Sequence, residues 1–209
     1  MDLRSRKIVI ASDNRGKLVE LRRLLGGLDA EVLPQSELGI AGARETGTSF
    51  SENALIKARH ASEAAGLPAI ADDSGLEVAA LHGRPGICSA RFAGECAGDD
   101  QNIDKLLAEL TGVDDAGRQA RFRCVAAYVE RADDPRPLVA EGVWQGRILQ
   151  ARRGSGGFGY DPVFYDPERE QTAAEMSSDT KNRLSHRGKA FRELIALLSQ
   201  RFGARTGPL

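Results

Sequence analysis

Two β-rich stretches, Gln119 to Glu130 and Leu138 to Gln150, are separated by a short polar turn, Asp133-Asp134-Pro135-Arg136-Pro137. A connection of that length joins antiparallel neighbours, because parallel strands need a crossover of about a dozen residues or more. The chain before this hairpin is organised differently. Lys7 to Ala11 (KIVIA) is a β-branched run ending in the polar loop Ser12-Asp13-Asn14-Arg15-Gly16, after which Leu18, Leu21, Leu24, Leu25 and Leu28 recur on one helical face. A second strand is expected near Glu31 to Leu33. Ser49 followed by Glu52 is a capping-box signal for a helix running to about Ala65, where Gly66 and Pro68 stop it. Ala69 to Asp72 reads as a short apolar strand terminating in acid, with another strand from Leu76. Residues 82–98 are glycine-rich loop, Asp99 or Asp100 caps a helix through Leu110, and a last helix follows Ser185 with Phe191, Leu194, Ile195 and Leu198 on its apolar face. Strand-helix alternation followed by a long hairpin predicts a mixed α/β protein with a partly antiparallel sheet, not a pure doubly wound fold.

The 209 residues suffice for one domain with its own core, and the 41% apolar and 28% charged content is that of a packed protein. We expect a single domain over 1–209 whose tail frays from about 203. A formal net charge of −1 argues against a general nucleic-acid or membrane-surface binder, so basic residues should act locally. Cys88, Cys96 and Cys124 form neither an even disulfide set nor a zinc-type pair, and no apolar run approaches the roughly 18 residues of a membrane helix. A cytoplasmic location is expected.

Five clusters carry chemistry. Ser12, Asp13, Asn14, Arg15, Gly16 and Lys17 lie between strand and helix, where backbone N–H groups, polar side chains and a cation suit a polyphosphate, although the same residues also make an ordinary polar βα turn. Asp72-Asp73-Ser74-Gly75 places hard oxygens at a strand end, fit for Mg²⁺ or for capping a turn. The two acids point to opposite faces and so have different tasks. Glu45 in a glycine loop and Lys57 on the following helix gain meaning only in combination with these. Gly154 to Pro162 contains the G-x-G-x-x-G string, but Asp161-Pro162 cannot open the helix that a dinucleotide fingerprint requires. It reads instead as a loop presenting Phe158 to a purine face with Asp161 fixing the loop, or as a glycine hairpin with Phe158 in the core. Finally, Lys181 and then Ser185-His186-Arg187 put cations at a helix start, where the dipole disfavours them unless an anion or an electron-rich base edge compensates.

Together these residues resemble the inosine triphosphate pyrophosphatase family, the HAM1-like non-standard purine NTP pyrophosphatases. The likeness runs from Lys7 to about Leu198 through Ser12-x-Asn14-x-x-Lys17, Glu45-Thr46-Gly47, Phe50-x-Glu52-Asn53-Ala54-x-x-Lys57-Ala58, Asp72-Asp73-Ser74-Gly75-Leu76, Pro85-Gly86-x-x-Ser89-Ala90-Arg91, Gly156-Gly157-Phe158-Gly159-Tyr160-Asp161-Pro162 and Ser185-His186-Arg187. Asp13 and Arg44 stand where some relatives carry glycine and a further acid. The resemblance implies an elongated mixed sheet with two lobes flanking a central cleft, a homodimer, Mg²⁺, and hydrolysis of the α–β phosphoanhydride of ITP, dITP and XTP. It makes Asp73 the general base and a metal ligand, and Glu45 the second acid at the metal. Ser12 to Lys17, Lys57 and Ser74 hold the triphosphate, while Phe158, Gly159, Tyr160, Asp161, Lys181, His186 and Arg187 enclose the base. A Maf-type pyrophosphatase for modified pyrimidines is the nearest rival, and the Gly-Gly-Phe-Gly-Tyr-Asp and Ser-His-Arg motifs speak against it. A module that only senses nucleotides needs no spare acid, whereas Asp72, Asp73 and Glu45 give this chain at least two.

Overall fold

The computed structural model describes residues 6–28 and 30–202, the side chain of Arg15 excepted. The tail expected to fray from 203 and the Arg15 side chain therefore lie outside the described residues. Among those residues seven strands, β1 Arg6–Ile10, β2 Ala30–Pro34, β3 Ala69–Val78, β4 Gln119–Val129, β5 Leu138–Ile148, β6 Phe164–Asp166 and β7 Gln171–Thr172, form one mixed sheet in the order β2-β1-β3-β4-β5-β6-β7. The β1 strand runs parallel to both β2 and β3, whereas β5–β6 and β6–β7 are antiparallel. The expected hairpin is β4 and β5, adjacent in the sheet and joined by residues 130–137. The helices are α1 Arg15–Leu24, α2 Phe50–Ala65, α3 Asp99–Glu109, α4 Ser178–Leu184 and α5 His186–Phe202. None of them is long and apolar enough to cross a membrane.

The chain divides into two compact units, one formed by residues through Asp73, Cys124–Gly142 and those from Arg187, the other by Ser74–Arg123 and Val143–His186. In the first unit, strand periodicity sorts two cores. Ile8, Ile10 and Ile70 pack with Leu21 and Leu25 of α1, Phe191, Leu194 and Leu198 of α5, and Cys124, Ala126 and Tyr128 of β4. Val9, Ala11, Ala69 and Ala71 pack with Ala58 and Ala61 of α2 and with Val129. Small residues on this second face let α2 lie close to the strands. The second unit has its own core, in which Leu76, Phe92, Ile103, Leu106, Phe122, Trp144 and Phe164 meet. Phe122 and Phe164 lie 4.5 Å apart, and Trp144 reaches Asp166 through a 2.9 Å hydrogen bond that satisfies its buried N–H.

The local signals act largely as chemistry dictates, with three differences. Ser49 caps α2 by accepting from Glu52 N–H, and the Glu52 carboxylate reaches back to the Ser49 backbone and to the Thr48 N–H and hydroxyl. The α2 helix ends at Gly66, whose φ of +65° is a left-handed conformation natural to glycine. Gly98, not Asp99 or Asp100, is the N-cap of α3, with its N–H donating to Gln101. The expected break after Asp72 does not occur: β3 continues through Asp73, Ser74 and Gly75 to Val78. Leu76 and Val78 are fully buried in the second unit's core, and that burial keeps the chain extended through a tetrapeptide that in isolation favours a turn. Finally, α4, β6 and β7 have no counterpart in the periodicity reading, being too short to show a period.

Candidate active site

Because β3 remains a strand through both acids, Asp72 and Asp73 emerge on opposite faces, and each meets a different set of helices. Asp73 follows Ala69 and Ala71 on the side of α2. There Lys57 Nζ lies 2.8 Å from Asp73 Oδ1 and 3.0 Å from Glu45 Oε1. One turn earlier on α2, buried Asn53 donates its side-chain amide to Asp73 Oδ2 at 3.3 Å. Burial holds Asp73 above the ordinary carboxylate range, with the Glu45 charge adding to that push while Lys57 and Lys17 oppose it. Burial would lower Lys57, but the charges of Asp73, Asp72 and Glu45 outweigh it and raise its pKa. A proton-accepting carboxylate whose basicity is raised, beside a firmly charged ammonium, is a suitable pairing for activating water near a phosphate.

Asp72 follows Ile70 on the side of α1 and α5. Its Oδ2 lies 3.0 Å from Lys17 Nζ and 3.4 Å from Arg187 Nε, and Arg187 also donates through Nη1 to Glu20 of α1. Burial opposes ionisation of Asp72, yet Lys17, Arg187 and Lys57 together hold it well below the usual range. Arg187 is likewise fixed in its charged form, since Asp72 and Glu20 outweigh the cost of its burial. Lys17 is set by the start of α1, where Asn14 caps the helix by accepting from Lys17 N–H at 2.9 Å. Asp13 accepts from Gln35 at 2.6 Å, Ser12 is buried at the end of β1, and Gly16 lies in the first turn of α1.

The residues that could hold a magnesium ion together with a polyphosphate are Asp73 and Glu45. Asp73 and Glu45 already converge on a cation, the Lys57 ammonium. No cluster of three or more His, Cys, Asp or Glu residues suited to a metal occurs among the described residues. An ion that takes one or two carboxylates and completes its octahedron with phosphate oxygens and water needs no such cluster.

The remaining predicted residues belong to the second unit, apart from Arg187. Residues 151–157 are exposed, and the chain then turns inward at Tyr160 and Asp161. Asp161 Oδ2 accepts from Phe158 N–H at 2.9 Å and from Lys181 Nζ at 2.5 Å, so this acid does fix the loop. Lys181, nearly fully buried on α4, places its ammonium 4.8 Å from the centre of the half-buried Phe158 ring. Tyr160 donates to the Ser89 carbonyl at 2.8 Å, and Gly159 N–H donates to Asp99 at 2.6 Å, tying the loop to its neighbours. His186 opens α5 with its ring stacked on Phe122 at 4.6 Å, and Ser74 is half-buried on β3. Gly157 is required here: its φ is +76° and an added Cβ would stand 1.9 Å from Asp161 Oδ2. Gly157→Ala is expected to raise KM for a nucleotide about tenfold and to lower the melting temperature, through backbone strain and displacement of Asp161 from Lys181. Steady-state kinetics and thermal unfolding check it; an unchanged KM would count against a binding role for the loop.

Arg187, expected at the base, is thus buried in the ion network around Asp72, and Glu20 and Asn53 join the site without having been singled out. The heptad-like spacing of α1 puts Glu20 off its apolar face, and nothing in the sequence separates a polar residue aimed at a distant cation from one in solvent. Asn53 had a readable signal, since it stands four residues before Lys57 and therefore on the same side of α2.

The model of the Ham1 family matches residues 8–197. A dITP/XTP pyrophosphatase of Methylococcus capsulatus is 58% identical over 97% of this chain and 98% of its own length, and one of Halorhodospira halophila is 57% identical over 90% and 95%. Among solved structures, a HAM1 protein from Coxiella burnetii superposes with a TM-score of 0.86 at 48% identity, covering 93% of this chain and 98% of that one. The Staphylococcus aureus Ham1 protein gives 0.82 at 41% identity, covering 93% and 99%. With the match spanning every acid, lysine and loop residue described above, the chain belongs to the Ham1 family.

Proposed function

We propose that this protein hydrolyses non-standard purine nucleoside triphosphates, ITP, dITP and XTP, to the monophosphate and pyrophosphate, removing them from the nucleotide pool. The observation that carries it is the Asp73–Lys57–Glu45 constellation beside the separate Lys17–Asp72 pair. Asp73 takes the proton of a water whose oxygen bonds to phosphorus as the α–β P–O bond breaks and pyrophosphate leaves. Lys17, Lys57, Ser74 and the polar groups of the loop from Ser12 hold the phosphate oxygens. Magnesium, held by Asp73 and Glu45 together with the substrate, would offset negative charge on the phosphates. Phe158 offers a ring for stacking on the purine, while Lys181 and His186 supply donors for its 6-oxo edge. Free Cys88 and Cys96, both exposed, suit a reducing cytoplasm. A homodimer is part of the same proposal, suggested by the family likeness, and is tested by sedimentation.

The decisive experiment is a panel of ITP, dITP, XTP, GTP and ATP with Mg²⁺, scoring pyrophosphate against orthophosphate. Pyrophosphate from the first three is expected, and orthophosphate as the primary product would mean cleavage at another bond. Lys181→Met is expected to reduce the preference for ITP over ATP by about tenfold or more, since a charge-assisted hydrogen bond is worth roughly 1.5–3 kcal/mol. An unchanged ratio of kcat/KM values would remove Lys181 from base reading.

A further inference from the structure

We infer that Asn53 is the positioning residue for Asp73, its amide coupling the loop that carries Glu45 to the acid that activates water; the inference rests on the pyrophosphatase function proposed above. Asn53 is fully buried on α2, and both ends of its amide are engaged. Gly47 N–H donates to its Oδ1 at 2.8 Å, and its Nδ2 donates to Asp73 Oδ2 at 3.3 Å. The orientation is fixed by chemistry: a backbone N–H can only donate, so the oxygen must face Gly47 and the NH₂ must face the carboxylate. Lys57 already holds Asp73 Oδ1, so with Asn53 on Oδ2 both oxygens receive a donor and rotation of the carboxylate is arrested.

The other end of the amide is as closely built. A Cβ at Gly47 would stand 2.7 Å from Asn53 Oδ1 and 2.7 Å from Glu52 Cβ, so glycine allows the loop to come down onto α2. Glu45 lies two residues before that contact, and its carboxylate shares Lys57 with Asp73. One side chain thereby sets the loop acid and the strand acid relative to each other, and small displacements of a reacting group cost large factors in rate.

Asn53→Asp separates this role from simple loop holding, because it keeps the volume and the acceptor for Gly47 N–H while setting a carboxylate, which repels Asp73, in place of the amide donor. Asn53→Ala removes both contacts. Assayed at about pH 8 with dITP and Mg²⁺, both variants are expected to lose roughly 30- to 100-fold in kcat with KM within about threefold. Calorimetric binding of dITP in the presence of Ca²⁺ is expected to stay within about threefold of wild type, and melting temperatures show whether each variant is folded. If Asn53→Asp turned over at the wild-type rate while Asn53→Ala did not, the amide would merely hold the loop and the inference would be overturned. Loss of calcium-supported binding in step with kcat, or failure of both variants to fold, would overturn it as well. A wild-type protein that releases no pyrophosphate from any purine triphosphate would instead sink the underlying activity, and the positioning role with it.

Discussion

Asp73→Asn is expected to lower kcat for dITP hydrolysis by about 10²–10⁴-fold, the range that a positioned general base contributes, while the nucleotide still binds. The substitution preserves shape, and Lys57 keeps Glu45 as a partner 3.0 Å away, so the phosphate-facing cation stays in place. Removing one negative charge beside a polyphosphate favours binding while the loss of a metal ligand opposes it, so dissociation constants measured in the presence of Ca²⁺ should change far less than kcat. Steady-state release of pyrophosphate and calorimetric titration separate the two effects. A variant that retained kcat within about threefold would exclude Asp73 as the base and shift attention to Glu45, the other acid on Lys57.

Much of this arrangement could be read from residue order. Strand periodicity alone assigns Asp72 and Asp73 to opposite faces, and the structure gives them separate partners, Lys17 and Arg187 for the one, Lys57 and Asn53 for the other. The hairpin of β4 and β5, the helix from Phe50 to Ala65 and the loop-fixing contact of Asp161 were legible for the same reason: each depends on neighbours in sequence. What escaped depends on distant ones. The continuation of β3 past Gly75 is imposed by the burial of Leu76 among Phe92, Trp144 and Phe164, which lie far along the chain. Arg187 pairs with Asp72 and with Glu20, the latter 167 positions away, so a cation at a helix start, where the dipole disfavours it, is compensated within the protein. The α4 helix is only seven residues long and begins with polar groups, so it carries too little apolar periodicity to be seen.

That compensation has a measurable consequence for stability. Asp72→Asn and Arg187→Met each break a buried charge pair and leave the other partner short of its counter-charge, which costs about 3–5 kcal/mol. Arg187 is 2% exposed and Asp72 1%, so solvent offers little relief to either. The double variant should lose less than the sum of the single losses, by up to about 3 kcal/mol, because the second substitution removes the charge that the first has stranded. Urea unfolding with unchanged m-values measures all three. The pH dependence follows from the sign of the Asp72 shift. Its ionisation is favoured in the folded state, so its stabilisation is fully present above the ordinary carboxylate range and is lost as pH falls toward its depressed folded value. The deficit of Asp72→Asn relative to the parent should therefore be constant at neutral pH and shrink below about pH 4. Losses under about 1 kcal/mol for Arg187→Met, accompanied by a changed ITP-to-ATP ratio, would return that guanidinium to the purine; a large, coupled loss with the ratio intact keeps it as the residue that holds Asp72, and through Asp72 holds Lys17 for the phosphates.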